Sequence, residues 1–133
     1  MPSFVTDTHA AIWHLGQSNK LSKAAISAVK SAEQSGGIIY VSTITIVEMI
    51  YLVEKERILP DILRLLRSAL NDSTTVFQIV ELNRAVTDAL ERIPRSDVPD
   101  TPDRIIAATA FYLDLPLITR DGKIRTANIQ TIW

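Results

Sequence analysis

The sequence predicts a single α/β domain, built on a mainly parallel sheet of about five strands that is flanked by helices. Short runs of β-branched and apolar residues alternate along the chain with longer segments of helical periodicity. Such alternation requires crossover connections between parallel strands, with helices covering both faces of the sheet. The length of 133 residues is typical of one domain, so we expect residues 1–133 to form a single unit.

Strands are expected where apolar and β-branched residues form runs of strand length. These runs are residues 3–7, 38–42, 76–82, 115–119 and 129–133. The first run ends in an acid, and the second follows a glycine pair that would end a helix. The fourth, LPLIT, is almost wholly apolar and therefore predicts a buried strand.

Helices are expected between these strands, and most of them carry a start or stop signal. Their predicted ranges are residues 8–16, 22–34, 43–57, 60–72, 83–93 and 102–113. Gly16 ends the first helix, and Ser22 and Asn83 are suitable N-caps for the second and fifth. Pro60 opens the fourth at the position that proline favours. The segment 43–57 is too long for one strand.

Composition and missing motifs exclude several classes of protein. The chain has no cysteine, so it has no disulfide framework and no thiolate zinc site. His9 and His14 do not match zinc-ligand spacing. The glycine-rich motifs of dinucleotide-binding, P-loop and serine-hydrolase folds do not occur. Receiver domains and haloacid-type phosphatases need a second acid just after the first strand, where this chain has Thr8 and His9.

Charge and targeting signals leave a soluble cytoplasmic protein as the expectation. No signal peptide is recognisable, and no apolar run is long enough to cross a bilayer. The net charge of −1 does not argue against a nucleic-acid partner. Two divalent cations bound to acids would add four charges and bring it to about +3.

Four acids from distant segments are predicted to meet at one edge of the sheet. Asp7 and Asp121 follow strands, whereas Glu48 and Asp103 lie near the starts of helices that follow strands or loops. In a parallel sheet the strand C-termini and helix N-termini share one edge, and ligands bind in the crevice beside it. The sequence therefore predicts an acidic site there.

Each acid also has a purely structural explanation. Asp7 could cap the helix that follows it, and residues 45–48 match a capping box. In TPD, Thr101 would be the cap and Asp103 would lie beside the positive end of the helix dipole. Residues 120–123, RDGK, form a typical Asp-Gly turn. The convergence of four such acids on one edge favours a site over four coincidences.

A divalent cation would make this cluster stable. Clustered carboxylates repel one another, which raises their pKa values and destabilises the fold. Hard oxygen ligands favour Mg²⁺, with Mn²⁺ as the alternative. The acids thus predict a site for Mg²⁺ or Mn²⁺.

Four motifs carry a resemblance to a known family. They are VTDTHAAIW, VSTITIVEM, DTPDRIIAATA and LITRDGKI. In order and spacing they resemble PIN-domain proteins, and especially the VapC group of toxin ribonucleases from type II toxin–antitoxin pairs. The third motif is the most specific. Where the family commonly has Asp-Pro-x-Asp-Arg, this chain has Asp-Thr-Pro-Asp-Arg, which keeps the spacing of Asp100 and Asp103.

The resemblance implies a Mg²⁺-dependent endoribonuclease. Asp7, Glu48, Asp103 and Asp121 would be the catalytic, metal-holding acids. The expected auxiliary residues are Asp100, Thr8 and Thr119, with the two hydroxyls orienting a carboxylate or a water. A pair of metals would activate water and stabilise the phosphate without a protein base. In toxins of this type the RNA is tRNA or ribosomal RNA.

Basic residues near the same edge are candidates for RNA contacts. The RNA-binding candidates are Arg104, Arg120 and Lys123, together with Arg95 and Arg125. For Arg104 the alternative is a salt bridge to Asp100 or Glu48. Trp13, Trp133 and Tyr112 would stack on a base or, alternatively, pack in the core.

Partner surfaces are indicated by an excess of apolar residues in 44–59 and 62–70. The resemblance implies a homodimer and a small VapB-like antitoxin that blocks the acidic site, and no membrane. An alternative function remains open, namely a non-catalytic PIN-like binding or regulatory module with a structural metal site.

Overall fold

The computed structural model describes residues 2–124 and 128–133 and confirms an α/β fold. Its strands are Phe4–Thr6 (β1), Ile39–Ser42 (β2), Phe77–Val80 (β3), Leu117–Ile118 (β4) and Thr131–Ile132 (β5). Its helices are Thr8–Leu15 (α1), Lys23–Ser35 (α2), Thr43–Glu54 (α3), Pro60–Asn71 (α4), Arg84–Leu90 (α5) and Thr101–Leu113 (α6). The five strands form one sheet in the order β3-β2-β1-β4-β5, and every neighbouring pair is parallel.

The strand order places a topological switch between β1 and β4. The chain adds β2 and β3 on one side of β1 and then returns to add β4 and β5 on the other. Connections on the two sides diverge at such a point and leave a crevice outside the strand C-termini, where ligands of open α/β folds bind. Asp7 and Thr119 are the first residues after β1 and β4 and therefore face this crevice.

The core lies on both faces of the sheet. In β1, Phe4 packs with α2 on one face, whereas Val5 packs with α5 and α6 on the other. Leu117 and Ile118 of β4 divide in the same way. A third cluster joins β2 to α1, α3 and α4. This period-two alternation, with both sets buried, is expected of a strand covered on both faces.

Most predicted helix starts are confirmed. The side chains of Ser22 and Asn83 accept hydrogen bonds from the backbone N–H groups of Ala25 and Val86. Pro60 is the first residue of α4, as predicted. Gly36 ends α2 in the left-handed conformation, with φ of 72°, which glycine adopts without steric cost.

Two predicted caps are wrong. The N-cap of α6 is Asp100, whose Oδ2 accepts a hydrogen bond from Asp103 N at 3.1 Å, and Thr101 is already helical. Residues 45–48 do not form a capping box, because α3 begins at Thr43 and is capped by Ser42. The strands are also shorter than predicted, most clearly β4 and β5, with two residues each.

Candidate active site

Asp7 is the buried centre of the predicted acidic edge. Only 7% of its surface is exposed. Its Oδ1 caps α1 by accepting a hydrogen bond from Ala10 N at 2.8 Å, and its Oδ2 accepts one from the Thr119 hydroxyl at 2.6 Å. The predicted cap and the predicted Thr119 contact are therefore both present. These two hydrogen bonds hold the Asp7 carboxylate, which directly follows β1, against the end of β4.

Glu48 reaches the same edge from the second turn of α3. It accepts a hydrogen bond from the hydroxyl of Thr8. The Thr8 hydroxyl also lies 3.1 Å from that of Thr45, and both threonines are buried. Thr8 thus contacts the Glu48 carboxylate directly, and its auxiliary role in a reaction stays a prediction. Thr45 supports Thr8 in this position and was not predicted from the sequence. Its spacing from Glu48, three residues later, predicts a capping box instead of this contact.

The buried helix α6 brings Asp103 and Asp100 to this edge. Residues 105–110 of α6 are all buried, and the helix packs against β1 and α5. Its N-terminus is therefore held beside the end of β1. Asp103 lies in the first turn, half-buried, and Asp100 caps that turn from an exposed position.

Asp121 arrives from the turn after β4. Its backbone N–H donates to the Thr119 hydroxyl at 3.0 Å, and its Oδ1 accepts a hydrogen bond from Lys123 N at 2.8 Å. The predicted Asp-Gly turn is therefore present. One carboxylate oxygen of Asp121 serves the turn.

A single depression of about 590 Å³ collects the predicted acids, a volume typical of ligand sites. It is lined by Asp7, Glu48, Asp100, Asp103 and Asp121 together with His9, Trp13 and Arg120. The structure thus brings together all five predicted acids. His9 and Trp13 belong to this lining as well, because they lie one turn apart on α1.

Burial raises the pKa of Asp7 and of Glu48. For Asp7 the loss of hydration raises the pKa above its usual value, although the Thr119 hydrogen bond offsets part of the rise. Burial also raises the pKa of Glu48, and the hydrogen bond from Thr8 opposes it. Both carboxylates are thus harder to ionise than they would be in water.

Asp103 has the most strongly perturbed carboxyl group. Burial is the main cause, and the negative charges of Asp100, Asp121, Glu48 and Asp7 add to it. Together they raise the pKa of Asp103 to about 7. Perturbed carboxyl groups that share a cleft are a feature of functional sites. The carboxyl groups of the depression therefore resist being ionised at the same time.

A family model described as the PIN domain matches residues 4–129 of the chain. The chain belongs to the PIN domain family. It is 30% identical over 136 residues to "Ribonuclease VapC22" from Mycobacterium tuberculosis (strain ATCC 25618 / H37Rv), and the alignment covers 100% of both chains.

Solved structures share the fold of this PIN domain. A crystal structure of VapBC2 from Rickettsia felis, bound to a promoter DNA fragment, matches 97% of this chain and 96% of its own with a TM-score of 0.72 at 16% identity. DNA-bound VapBC from Salmonella typhimurium matches 98% and 97%, with a TM-score of 0.70 at 18% identity. A toxin–antitoxin complex from Klebsiella pneumoniae matches 97% and 95%, with a TM-score of 0.63 at 23% identity. At these identities the likeness establishes the fold.

The donor set of this PIN domain suits a hard divalent cation. No three potential ligands of the described residues are already grouped closely enough to hold an ion. Mg²⁺ does not require such a cage, since it binds through one or two carboxylates and keeps several waters. A divalent cation would stabilise the ionised forms of Asp7 and Asp103, which burial disfavours. The residues therefore fit a hard divalent cation.

The predicted RNA-binding residues do not all lie at the depression. Arg120 lines it. Arg104 instead donates through Nε to the carbonyl of Ile93 at 2.8 Å and through a terminal nitrogen to that of Leu90 at 3.1 Å. The alternative of a salt bridge to Asp100 or Glu48 is therefore wrong, and the RNA contact of Arg104 stays a prediction.

The RNA contacts predicted for the other basic residues also stay predictions. Lys123 contributes a backbone hydrogen bond to the turn of Asp121, and Arg95 is exposed in the loop before α6. Arg125 lies outside the described residues. Within the part of the chain that the structure describes, no helix is both long enough and apolar enough to span a membrane.

Proposed function

We propose that this chain is a Mg²⁺-dependent endoribonuclease, with Mn²⁺ as an alternative metal, and the toxin component of a type II toxin–antitoxin pair. One observation carries the proposal. Carboxylates from α3, α6 and the ends of β1 and β4 share one depression at the switch point, and burial and mutual repulsion raise the pKa of Asp7, Glu48 and Asp103. Full-length similarity to a protein named a ribonuclease supports it.

Asp7 and Asp103 would hold the cation most directly, with Glu48 and Asp121 contributing through water. The chemistry that a bound cation would supply is activation of a water for attack on a phosphodiester and compensation of the charge that develops on the phosphate. Thr119 and Thr8 keep the carboxylates of Asp7 and Glu48 oriented. Because the pKa of Asp103 is about 7, its carboxyl must lose a proton before it can ligate.

The substrate and partners follow from the proposed activity. We propose tRNA or ribosomal RNA as the substrate and a VapB-like antitoxin as the partner, since the structural neighbours include VapBC complexes. An antitoxin arginine would inhibit by replacing the cation's charge at the carboxylates. A cytoplasmic location would give such a toxin access to its RNA, and residues 1–133 would act as one domain.

A homodimer is proposed on the exposed apolar face of α3. Tyr51 is 59% exposed and Val47 is 44% exposed, and the two lie one turn apart. Exposed apolar side chains on one helix face indicate an interaction surface. Light scattering of the purified chain would give its mass in solution.

Cleavage of labelled tRNA and ribosomal RNA by the partner-free chain tests the activity. We expect cleavage in Mg²⁺ or Mn²⁺, none in EDTA, and at least about a 100-fold loss in Asp7→Asn and Asp103→Asn. Asp88→Asn is the matched control, because Asp88 is an exposed carboxylate of α5 that is not among the lining residues of the depression. Folded Asp7→Asn and Asp103→Asn variants that cleave like the wild type would refute the metal assignment.

The second candidate is a non-catalytic module that keeps its acids for structure and ion binding. It is favoured by the structural hydrogen bonds of Asp7 and Asp100, which cap helices, and of Asp121, which closes a turn. A chain that binds Mg²⁺ but cuts no cellular RNA would support this function over the first.

A further inference from the structure

Trp13 is a half-buried indole that belongs to both the core and the acidic depression. It packs against two of the core clusters and also lines the depression beside the carboxylates. Its ring lies 5.7 Å from those of His9 and Trp133, both tilted with respect to it. Trp13 therefore places an indole ring in the wall of the proposed reaction site.

Two cations lie against this indole. The guanidinium carbon of Arg120 is 5.8 Å from the ring centroid, and Nζ of Lys20 is 5.9 Å from it. Over residues 2–124 and 128–133 the one ion pair joins Arg64 to Asp61, so neither cation is paired with an acid of the depression. A purely core role for Trp13 does not account for two unpaired cations at its ring.

This combination has the chemistry of a single-stranded nucleic-acid site. Such sites place cations along the phosphate backbone and offer aromatic faces on which bases stack. Arg120 and Lys20 are exposed, and cation–π contacts at exposed sites are weak. Both side chains can thus exchange the ring for stronger, charge-assisted hydrogen bonds to phosphate, which frees the indole face for a base.

We propose that Trp13, Arg120 and Lys20 form a nucleotide-binding subsite beside the acids. In this subsite an unpaired base stacks on the indole of Trp13, and Arg120 and Lys20 bind the flanking phosphates. The inference rests on the proposed nuclease function and specifies its substrate: the base next to the scissile phosphate must be unpaired. A base inside an RNA double helix is already stacked on its neighbours and cannot enter this subsite.

Tryptophan fluorescence tests the stacking directly, because the chain has two tryptophans, Trp13 and Trp133. The probe is a six-nucleotide oligouridylate, added in Mg²⁺ to full-length protein with Asp103→Asn, which is expected not to cleave. With Trp133→Phe added, Trp13 is the one remaining tryptophan. We expect the oligouridylate to quench its emission. An abasic oligomer of equal length should not quench it. With Trp13→Leu in place of the indole, which leaves no ring for stacking, the remaining Trp133 should not respond.

The affinity of the Asp103→Asn protein for the oligouridylate provides a second readout. Trp13→Phe keeps a ring for stacking, whereas Trp13→Leu keeps an apolar side chain for the core without one. We expect Trp13→Leu to weaken oligouridylate binding by roughly 5- to 150-fold, as for loss of one base stack, and Trp13→Phe to weaken it much less. Melting temperatures of the two variants verify that both fold.

Two results would overturn the subsite: no quenching of Trp13, or equal affinity for the oligouridylate and the abasic oligomer. These results are separable from a failure of the nuclease proposal. A chain that cuts RNA with an unchanged KM in Trp13→Leu retains its activity and lacks the subsite. A chain that quenches and binds but never cuts has the subsite without the activity.

Discussion

Asp103 combines a favourable and an unfavourable position for a carboxylate. Its place in the first turn of α6 lets the helix dipole stabilise a negative charge. Burial and the charges of neighbouring acids outweigh this, because they raise its pKa from 3.8 to about 7. The metal-free fold therefore accommodates the neutral acid more easily than the ion.

The pH dependence of stability follows from that shift. Between pH 3.8 and 7 the folded state holds the Asp103 proton more tightly than the unfolded state does. Stability therefore falls as the pH rises through this range and levels off above it. In EDTA we expect Asp103→Asn to gain roughly 1–2 kcal/mol at pH 8 after allowance for solvent screening, and less than half of that at pH 5. Urea unfolding at the two pH values measures it.

Asp88→Asn, which removes an exposed carboxylate of α5, should change the unfolding free energy little at either pH. A loss of stability in Asp103→Asn at pH 8 would contradict this prediction. It would mean that the Asp103 carboxylate stabilises the start of α6 more than burial and the neighbouring acids destabilise it.

The residues of the depression were predictable to the extent that their positions follow from strand ends. Asp7 and Thr119 could be located because each directly follows a strand, and the adjacent strands then bring them into contact. Thr45 was not predictable, because its partner is Thr8, 37 residues away in sequence. A short Thr-x-x-Glu pattern reports local capping and carries no information on such a long-range contact.

At the scale of elements, Arg104 joins the start of α6 to the end of α5. Its guanidinium donates to the carbonyl of Leu90, the last residue of α5, and to that of Ile93 in the loop that follows. Lysine keeps the charge but cannot reproduce a planar two-point contact. We expect Arg104→Lys to lower the unfolding free energy by about 1–2 kcal/mol, measured by urea unfolding.

Arg120→Lys is the matched control, because Arg120 is exposed and should contribute little to stability. Stability and RNA affinity of Arg104→Lys, measured together, separate a structural role of Arg104 from RNA binding. A role of Arg104 confined to the α5–α6 junction predicts unchanged RNA affinity in a folded Arg104→Lys variant. Reduced affinity with unchanged stability would instead support the RNA contact predicted from sequence.

Element starts were more predictable than strand ends. Side chains such as Ser22 and Asn83 cap the helix that follows them, so the signal is local. The ends of β4 depend on pairing with β1 and β5, and the run LPLIT yields only two paired residues. An apolar run shows that a segment is buried, whereas its neighbours determine how much of it is strand.

For the whole molecule, alternation predicted a parallel sheet but not the order of its strands. The order β3-β2-β1-β4-β5 places the end of β1 next to that of β4, and hence Asp7 next to Thr119. Packing of α6 against β1 then adds Asp103. The site is thus a product of topology, because its acids come from segments separated by up to 114 positions, from Asp7 to Asp121.

Magnesium binding should couple this site to the stability of the whole domain. A cation that binds only the folded state raises the unfolding free energy, by about 1.4 kcal/mol when its concentration is ten times its Kd.

The affinity for Mg²⁺ should depend on pH, because the pKa of Asp103 is about 7 and a proton competes with the cation for its carboxylate. We expect Mg²⁺ to bind roughly 30-fold more weakly at pH 5.5 than at pH 8. Calorimetric titration and melting temperatures at both pH values would measure this. Asp103→Asn should bind weakly with little pH dependence, and Asp88→Asn should match the wild type. Equal Mg²⁺ affinity at both pH values in the wild type would mean that Asp103 is not a ligand.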